Sequence, residues 1–342
     1  MSEELLRVRN LRTTFETNEG TVRAVDGVDL SVAPGETVCI VGESGSGKTV
    51  TCESITRLVP SPPATVRAER VEFAGEDLLA APASRLREIR GNDVGHVFQN
   101  PQNALDPVYT VRDQLVEAIR AHGDVGKSAA RERAVELLAD VGIPNPRDRS
   151  DEYPHQFSGG MKQRVLVAMA LASDPDLLIA DEPTTALDVT TEAQILRLFE
   201  ELSEERDMAV LLVTHDLGVV YEVADRVVVM YGGTVMETGT AESVFGNPAH
   251  PYTRGLLASL PGQGGEMRPI EGEPPDPADP PAGCRFHPRC PDAVDACRGG
   301  ERPPLHRLGR AEGRRAACVY YDDGVEADPA ALDDAAPTGV EQ

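Results

Sequence analysis

From Leu5 to about Phe245, short apolar runs of strand length alternate with segments of helical period, the pattern of a mostly parallel sheet flanked by helices. Residues 37–41 (Thr-Val-Cys-Ile-Val), 177–180 (Leu-Leu-Ile-Ala) and 209–214 (Ala-Val-Leu-Leu-Val-Thr) show no polar alternation, which predicts strands buried on both faces. Residues 50–58 predict a helix shortly after the first of these. Between about 105 and 172 the strand signal gives way to helical stretches at 111–121, 128–141 and 160–172, which predict a helical subdomain inserted in the α/β core. Beyond Phe245 the pattern dissolves into Pro, Gly and Cys. Residues 261–281 then read as a linker or irregular arm, and 322–342 as an acidic disordered tail. The expected organisation is a core over 1–246, an extension over 247–321 and a tail over 322–342, with no internal repeat.

Composition narrows the class. A chain of 342 residues that is 40% hydrophobic can build one large core and a smaller appendage. Its longest apolar runs, 165–172 and 208–213, fall far short of the roughly 20 residues that cross a bilayer. The first residues, Met-Ser-Glu-Glu, carry no apolar stretch of the secretory type, so the chain is expected in the cytoplasm. A formal charge of −24 argues against broad contact with nucleic acid or anionic lipid. Dispersed acidic residues, with thirty Arg to three Lys, further suggest a halophile, whose salt-rich cytoplasm would screen this charge.

The chemistry begins at residues 42–49, Gly-Glu-Ser-Gly-Ser-Gly-Lys-Thr, which fit the phosphate-loop pattern G-x-x-x-x-G-K-[ST]. Between a predicted strand and a predicted helix, such a loop curls so that successive backbone N–H groups point at phosphate oxygens. Gly42, Glu43, Ser44, Gly45, Ser46, Gly47, Lys48, Thr49 and Val50 are therefore candidate nucleotide-binding residues. Lys48 would neutralise phosphate, and the Thr49 hydroxyl would hold Mg²⁺. The strand at 177–180 runs into Asp181 and Glu182, placing one carboxylate for Mg²⁺ and the next to polarise water, although an ordinary acidic strand-to-loop junction has the same residues. The strand at 209–214 delivers His215, a candidate donor to a γ-phosphate or simply a structural histidine. Ser158, Gly159 and Gly160 open a further helix and offer a second set of N–H groups to an anion.

In this order, the phosphate loop, the Ser-Gly-Gly helix, the Asp181-Glu182 strand and His215 resemble the ATP-binding-cassette (ABC) ATPases over roughly residues 5–260. The resemblance implies an α/β fold, an ABC-type P-loop NTPase core with an inserted helical subdomain. It implies that Gln99 is the Q-loop glutamine that senses Mg²⁺ or water, that Ala186-Leu187-Asp188 is the D-loop, and that Phe15 is a platform for adenine. The expected catalytic set is Glu182, His215, Lys48 and Gln99, with ATP shared between the phosphate loop of one subunit and residues 158–160 of a second. The usual signature Leu-Ser-Gly-Gly-Gln is here Phe157-Ser158-Gly159-Gly160-Met161, which spares the residues that would touch phosphate.

Residues 247–253, Asn-Pro-Ala-His-Pro-Tyr-Thr, are similar to the segment that opens the C-terminal extension of oligopeptide/dipeptide-permease ATPases. That branch implies peptide import with transmembrane permease subunits, an identical or paralogous second ATPase, and an extracytoplasmic binding protein. It implies a peripheral position on the cytoplasmic face of the membrane and no nucleic-acid partner. Nickel-chelate or oligosaccharide import, or a non-transport ABC ATPase, are the alternatives. Four cysteines follow, Cys284, Cys290, Cys297 and Cys318. Their density in a cytoplasmic chain suggests shared metal ligation rather than disulfides, a [4Fe–4S] cluster before zinc, with unliganded thiols the remaining reading. Cys39 and Cys52, beside the phosphate loop, read as buried small side chains.

Overall fold

The three uninterrupted apolar runs fold as strands Thr37–Val41, Leu177–Asp181 and Ala209–Val213, with every residue buried. β-Branched and leucine side chains without alternation fit strands that are covered on both faces. The computed structural model that shows this describes residues 4–18, 20–98, 104–121, 123–184, 187–260, 269–309 and 313–322. Gln99, Ala186, residues 261–268 of the expected linker and residues 323–342 of the expected tail lie outside the described residues. The chain divides into two units, one of Leu6–Ser31, Val38–Leu79 and His215–Gln342, the other of Met1–Leu5, Val32–Thr37 and Ala80–Thr214.

In the first unit, strand Leu6–Thr17 is the centre of an antiparallel sheet, pairing Leu6 with Phe73 and Phe15 with Ala64. Its buried face changes phase partway, from Leu6 and Val8 to Leu11 and Thr13. Asn10, at φ 50°, supplies the irregularity: one left-handed residue shifts a two-residue period by one and keeps apolar side chains inward. The same unit pairs Thr37–Val41 parallel to Arg226–Tyr231, with Ile40 opposite Val228, and Arg226–Tyr231 antiparallel to Thr234–Thr240. The extension is built onto this sheet. Strand Arg315–Ala316 pairs with Thr234–Thr240 through Glu237 and Ala316, and His306–Arg307 pairs beyond it.

In the second unit, Val94–Val97, Leu177–Asp181 and Ala209–Val213 run parallel, with Gly95 opposite Leu178 and Ile179 opposite Leu211. Helix Val111–Ala121 buries Val111, Leu115 and Ile119, an i, i+4, i+8 stripe, and helix Lys127–Asp140 buries Ala130, Ala134, Leu137 and Leu138. Helix Gly159–Ala170 follows, and Gly159–Ala170 and Val189–Arg206 begin at side-chain caps. Among the described residues, no helix is long and apolar enough to cross a membrane.

Candidate active site

The strand Thr37–Val41 ends at the phosphate loop, and helix Lys48–Ile55 begins where the loop closes. Gly42 has φ +150°, and a Cβ there would lie 2.1 Å from the Met230 carbonyl oxygen. Gly47, at φ +96°, would place a Cβ 2.4 Å from the Ala24 oxygen. Neither backbone neighbour can swing aside, so only glycine lets the chain turn this tightly. Lys48 folds back over the loop, buried, and its Nζ donates to the carbonyl oxygens of Gly42 at 2.9 Å and Glu43 at 3.0 Å. The Ser46 hydroxyl is buried yet has no hydrogen-bond partner among the described residues. A phosphate loop with this tight glycine turn, a buried lysine folded over it and a buried hydroxyl left unsatisfied among the described residues suits a nucleotide phosphate.

One contact to this loop was missed by sequence reasoning. Tyr252, fully buried on helix Pro251–Ala258, accepts a hydrogen bond from the Glu43 backbone N–H at 3.0 Å. Burial pushes its phenol well above the usual tyrosine range, keeping it neutral. His250 caps the same helix, its Nδ1 accepting from the Tyr252 N–H at 3.0 Å, while Glu237 accepts from the Ala249 and His250 N–H groups. The His-Pro-Tyr segment thus ties the extension to the phosphate loop. Its signal in the sequence was present, a proline at a helix start between two large side chains, but not its target.

Phe15 stands half-buried in strand Leu6–Thr17, Val50 lies in the first turn of helix Lys48–Ile55, and His215 is exposed just before helix Leu217–Val223. Cys39 and Cys52 are buried small side chains, as expected.

In the other unit, Asp181 ends the buried strand Leu177–Asp181 with little exposure, and Glu182 follows at φ 43°. A left-handed glutamate is held there by its N–H donating to the Val213 oxygen at 2.9 Å, a backbone irregularity of the kind that clusters at functional positions. Ser158 caps helix Gly159–Ala170 by accepting from the Met161 N–H at 3.3 Å. Gly160 lies so near Thr191 that a Cβ would meet its Cγ2 at 2.4 Å, and Asp188 accepts from both the N–H and hydroxyl of Thr191. Those hydrogen bonds hold the Asp188 carboxyl below its ordinary range. The structure thus brings Ser158, Gly159, Gly160 and Asp188 into one neighbourhood.

The cysteine quartet is not a metal centre. Among the described residues, no group of three or more His, Cys, Asp or Glu side chains is placed to hold a metal ion, which overturns the expected [4Fe–4S] cluster and its zinc alternative. Cys284, Cys297 and Cys318 are instead buried with Phe286, Ala316 and Val319 as the core of the extension, and Cys290 is half-buried. Burial pushes the thiols up, Cys284 to about 11 and Cys290 and Cys318 to about 12.

Comparison with known proteins converges on this geometry. Residues 25–185 match the family model of the ABC transporter, and residues 236–297 match that of the oligopeptide/dipeptide transporter C-terminal region. The chain is 52% identical over 298 residues to the dipeptide transport ATP-binding protein DppD of Bacillus subtilis, covering 86% of this chain and 89% of that protein. It is 49% identical over 319 residues to the DppD of Escherichia coli, covering 92% and 96% respectively. The solved dimer of the ATP-binding cassette MJ0796 in a post-hydrolysis state, bound to ADP and Pi, superposes with a TM-score of 0.62 at 29% identity over 69% of this chain and 98% of that one.

Proposed function

The chain belongs to the ABC transporter family, in its oligopeptide/dipeptide branch, and on that premise we propose that it is the ATP-hydrolysing subunit of a peptide importer. The observation that carries the nucleotide reading is the phosphate loop itself, with glycines that tolerate no Cβ, a buried Lys48 folded over it and a buried Ser46 hydroxyl that has no partner among the described residues. The names of the relatives favour dipeptides or oligopeptides over nickel chelates or oligosaccharides as cargo. As in the dimeric cassette, two ATPase subunits pair; at the cytoplasmic face of the membrane they work with permease subunits, which receive the cargo from an extracytoplasmic binding protein.

The roles we assign follow the chemistry of each side chain. The loop of residues 42–49 and the first turn through Val50 bind the phosphates, Lys48 neutralising their charge, and Phe15 stacks on the base. Residues 158–160, with Asp188 beside them, meet the nucleotide held by the partner cassette. Glu182 polarises the attacking water and His215 donates to the γ-phosphate. To Mg²⁺ we assign the Thr49 hydroxyl, the Asp181 carboxylate and Gln99, oxygen donors of the type this cation takes, and when bound it would supply charge neutralisation for phosphoryl transfer. We assign the ATPase domain to 1–246, its helical subdomain to about 105–172, the extension to 247–321 and a tail to 322–342. Glu182→Gln tests the assignment. It is expected to retain ATP and accumulate closed dimers while kcat falls by about 10²- to 10⁴-fold; undiminished turnover removes Glu182 from the role.

A further inference from the structure

Glu43 is the second residue of the phosphate loop, and it is gripped twice from distant parts of the chain. Its backbone N–H donates to Tyr252, 209 residues away, so that this amide is spent on anchoring the loop. Its carboxylate accepts from Arg289 Nη1 at 2.7 Å, across 246 residues. Arg289 is itself immobilised. Nη1 also donates to the Tyr231 hydroxyl at 3.1 Å, Nη2 donates to the Ile270 oxygen at 3.1 Å and Nε to the Glu271 oxygen at 2.9 Å. Its guanidinium carbon sits 5.7 Å from the Tyr231 ring centre, and the side chain is only 6% exposed. Around it Tyr231, Tyr252 and Phe286 pack with ring centres 4.6 to 5.3 Å apart, joining the sheet, the His-Pro-Tyr helix and the extension.

An arginine with three backbone and aromatic partners loses little further freedom in holding a carboxylate, and a charge-assisted bond partly shielded from solvent is stronger than one in open water. With both its amide and its carboxylate held, Glu43 is restrained at two points. The loop that follows it is therefore shaped before nucleotide arrives, and binding ATP need not bear the entropy of ordering the loop.

We propose that Arg289, in the C-terminal extension, is a positioning residue for ATP binding, holding the phosphate loop in its binding conformation through Glu43. The extension is thereby a working part of the nucleotide site, though it touches no phosphate.

Full-length Arg289→Ala is expected to raise KM for ATP about tenfold, a loss of about 1.4 kcal/mol in binding, with kcat changed less than twofold. Arg289→Lys keeps the charge without the fork and should recover part of that loss. Glu43→Gln alone should also raise KM, and the double variant Arg289→Ala with Glu43→Gln should be no worse than Arg289→Ala, because the two act through one contact. A folded Arg289→Ala protein with unchanged KM overturns the proposal, as does a double variant whose effects multiply. Should Arg289→Ala fail to fold, Glu43→Gln and Arg289→Lys carry the test, and unchanged KM in both is decisive against it. Absence of hydrolysis by the unsubstituted chain would count against the ATPase reading, not against Arg289.

Discussion

The phosphate loop and the cysteine-rich extension belong to one unit and are joined through Tyr252, yet they are built on opposite principles. In the loop, backbone does the work: glycines admit close approach, carbonyl oxygens of Gly42 and Glu43 engage Lys48, and the Ser46 hydroxyl has no partner among the described residues. In the extension, side chains do the work. Strands of two residues, Arg315–Ala316 and His306–Arg307, give little ladder energy, so Cys284, Phe286, Cys297 and Cys318 must supply the core. A reactive-looking residue gains its chemistry from its surroundings. A hydroxyl held in a phosphate loop is a binding group, and a buried, protonated thiol behaves as a small hydrophobe.

The sharpest way to break the loop half of this contrast is Gly42→Ala. The new Cβ would fall 2.1 Å from the Met230 oxygen of the adjacent strand, at a φ that side chains disfavour. The expected result is a destabilisation of about 3 kcal/mol and loss of the ATP-induced rise in melting temperature. An alanine variant that still gains stability with ATP would show that the loop does not need this turn.

The hinge between the two regions has a pH dependence of definite sign. Burial lowers the His250 imidazole to about 3, and as the acceptor of the Tyr252 N–H its Nδ1 must stay unprotonated. The folded value lies below the unfolded one of about 6.5, so its contribution is complete above pH 6.5 and is lost as pH falls toward 3, at about 1.4 kcal/mol per pH unit. Glu237, which accepts from the His250 N–H, has a carboxyl raised by burial and therefore acts in the opposite sense. His250→Asn keeps a capping acceptor, retains Glu237 and removes the imidazole. Denaturant melts should show the stability advantage of the natural chain over His250→Asn shrinking by about 2 kcal/mol between pH 6.5 and pH 5. A gap that does not change with pH would mean that His250 titrates normally.

The contrast also explains what could be read from the chain. Strands Leu177–Asp181 and Ala209–Val213 and helix Val111–Ala121 were legible because burial imposes a period on consecutive residues. The phosphate loop was legible because its chemistry is local. What escaped was long-range: the approach of Tyr252 and Arg289 to Glu43 leaves no periodic trace, and neither does the left-handed backbone of Glu182. The cysteine spacing misled because spacing carries no information about burial. Four thiols in a Pro- and Arg-rich stretch look like ligands until the stretch is seen to have few other apolar side chains from which to make a core.

That last correction can be tested on its own ground, with Cys284 replaced by Ala and by Ser. The thiol is buried, and its backbone N–H donates to the Cys297 oxygen at 3.0 Å, an interaction that both replacements retain. As a core residue, Cys284→Ala loses a small apolar group, a cost of about 1 kcal/mol. Cys284→Ser keeps the shape but buries a hydroxyl in place of a thiol, a further cost of about 1 to 3 kcal/mol unless the hydroxyl finds a partner. Serine should therefore melt below alanine, with KM and kcat for ATP nearly the same in both and no response of the melting temperature to a chelator in the absence of nucleotide. A ligand role predicts otherwise: either replacement would remove the donor, the two would be equally damaging, and chelation would lower the melting temperature of the natural chain.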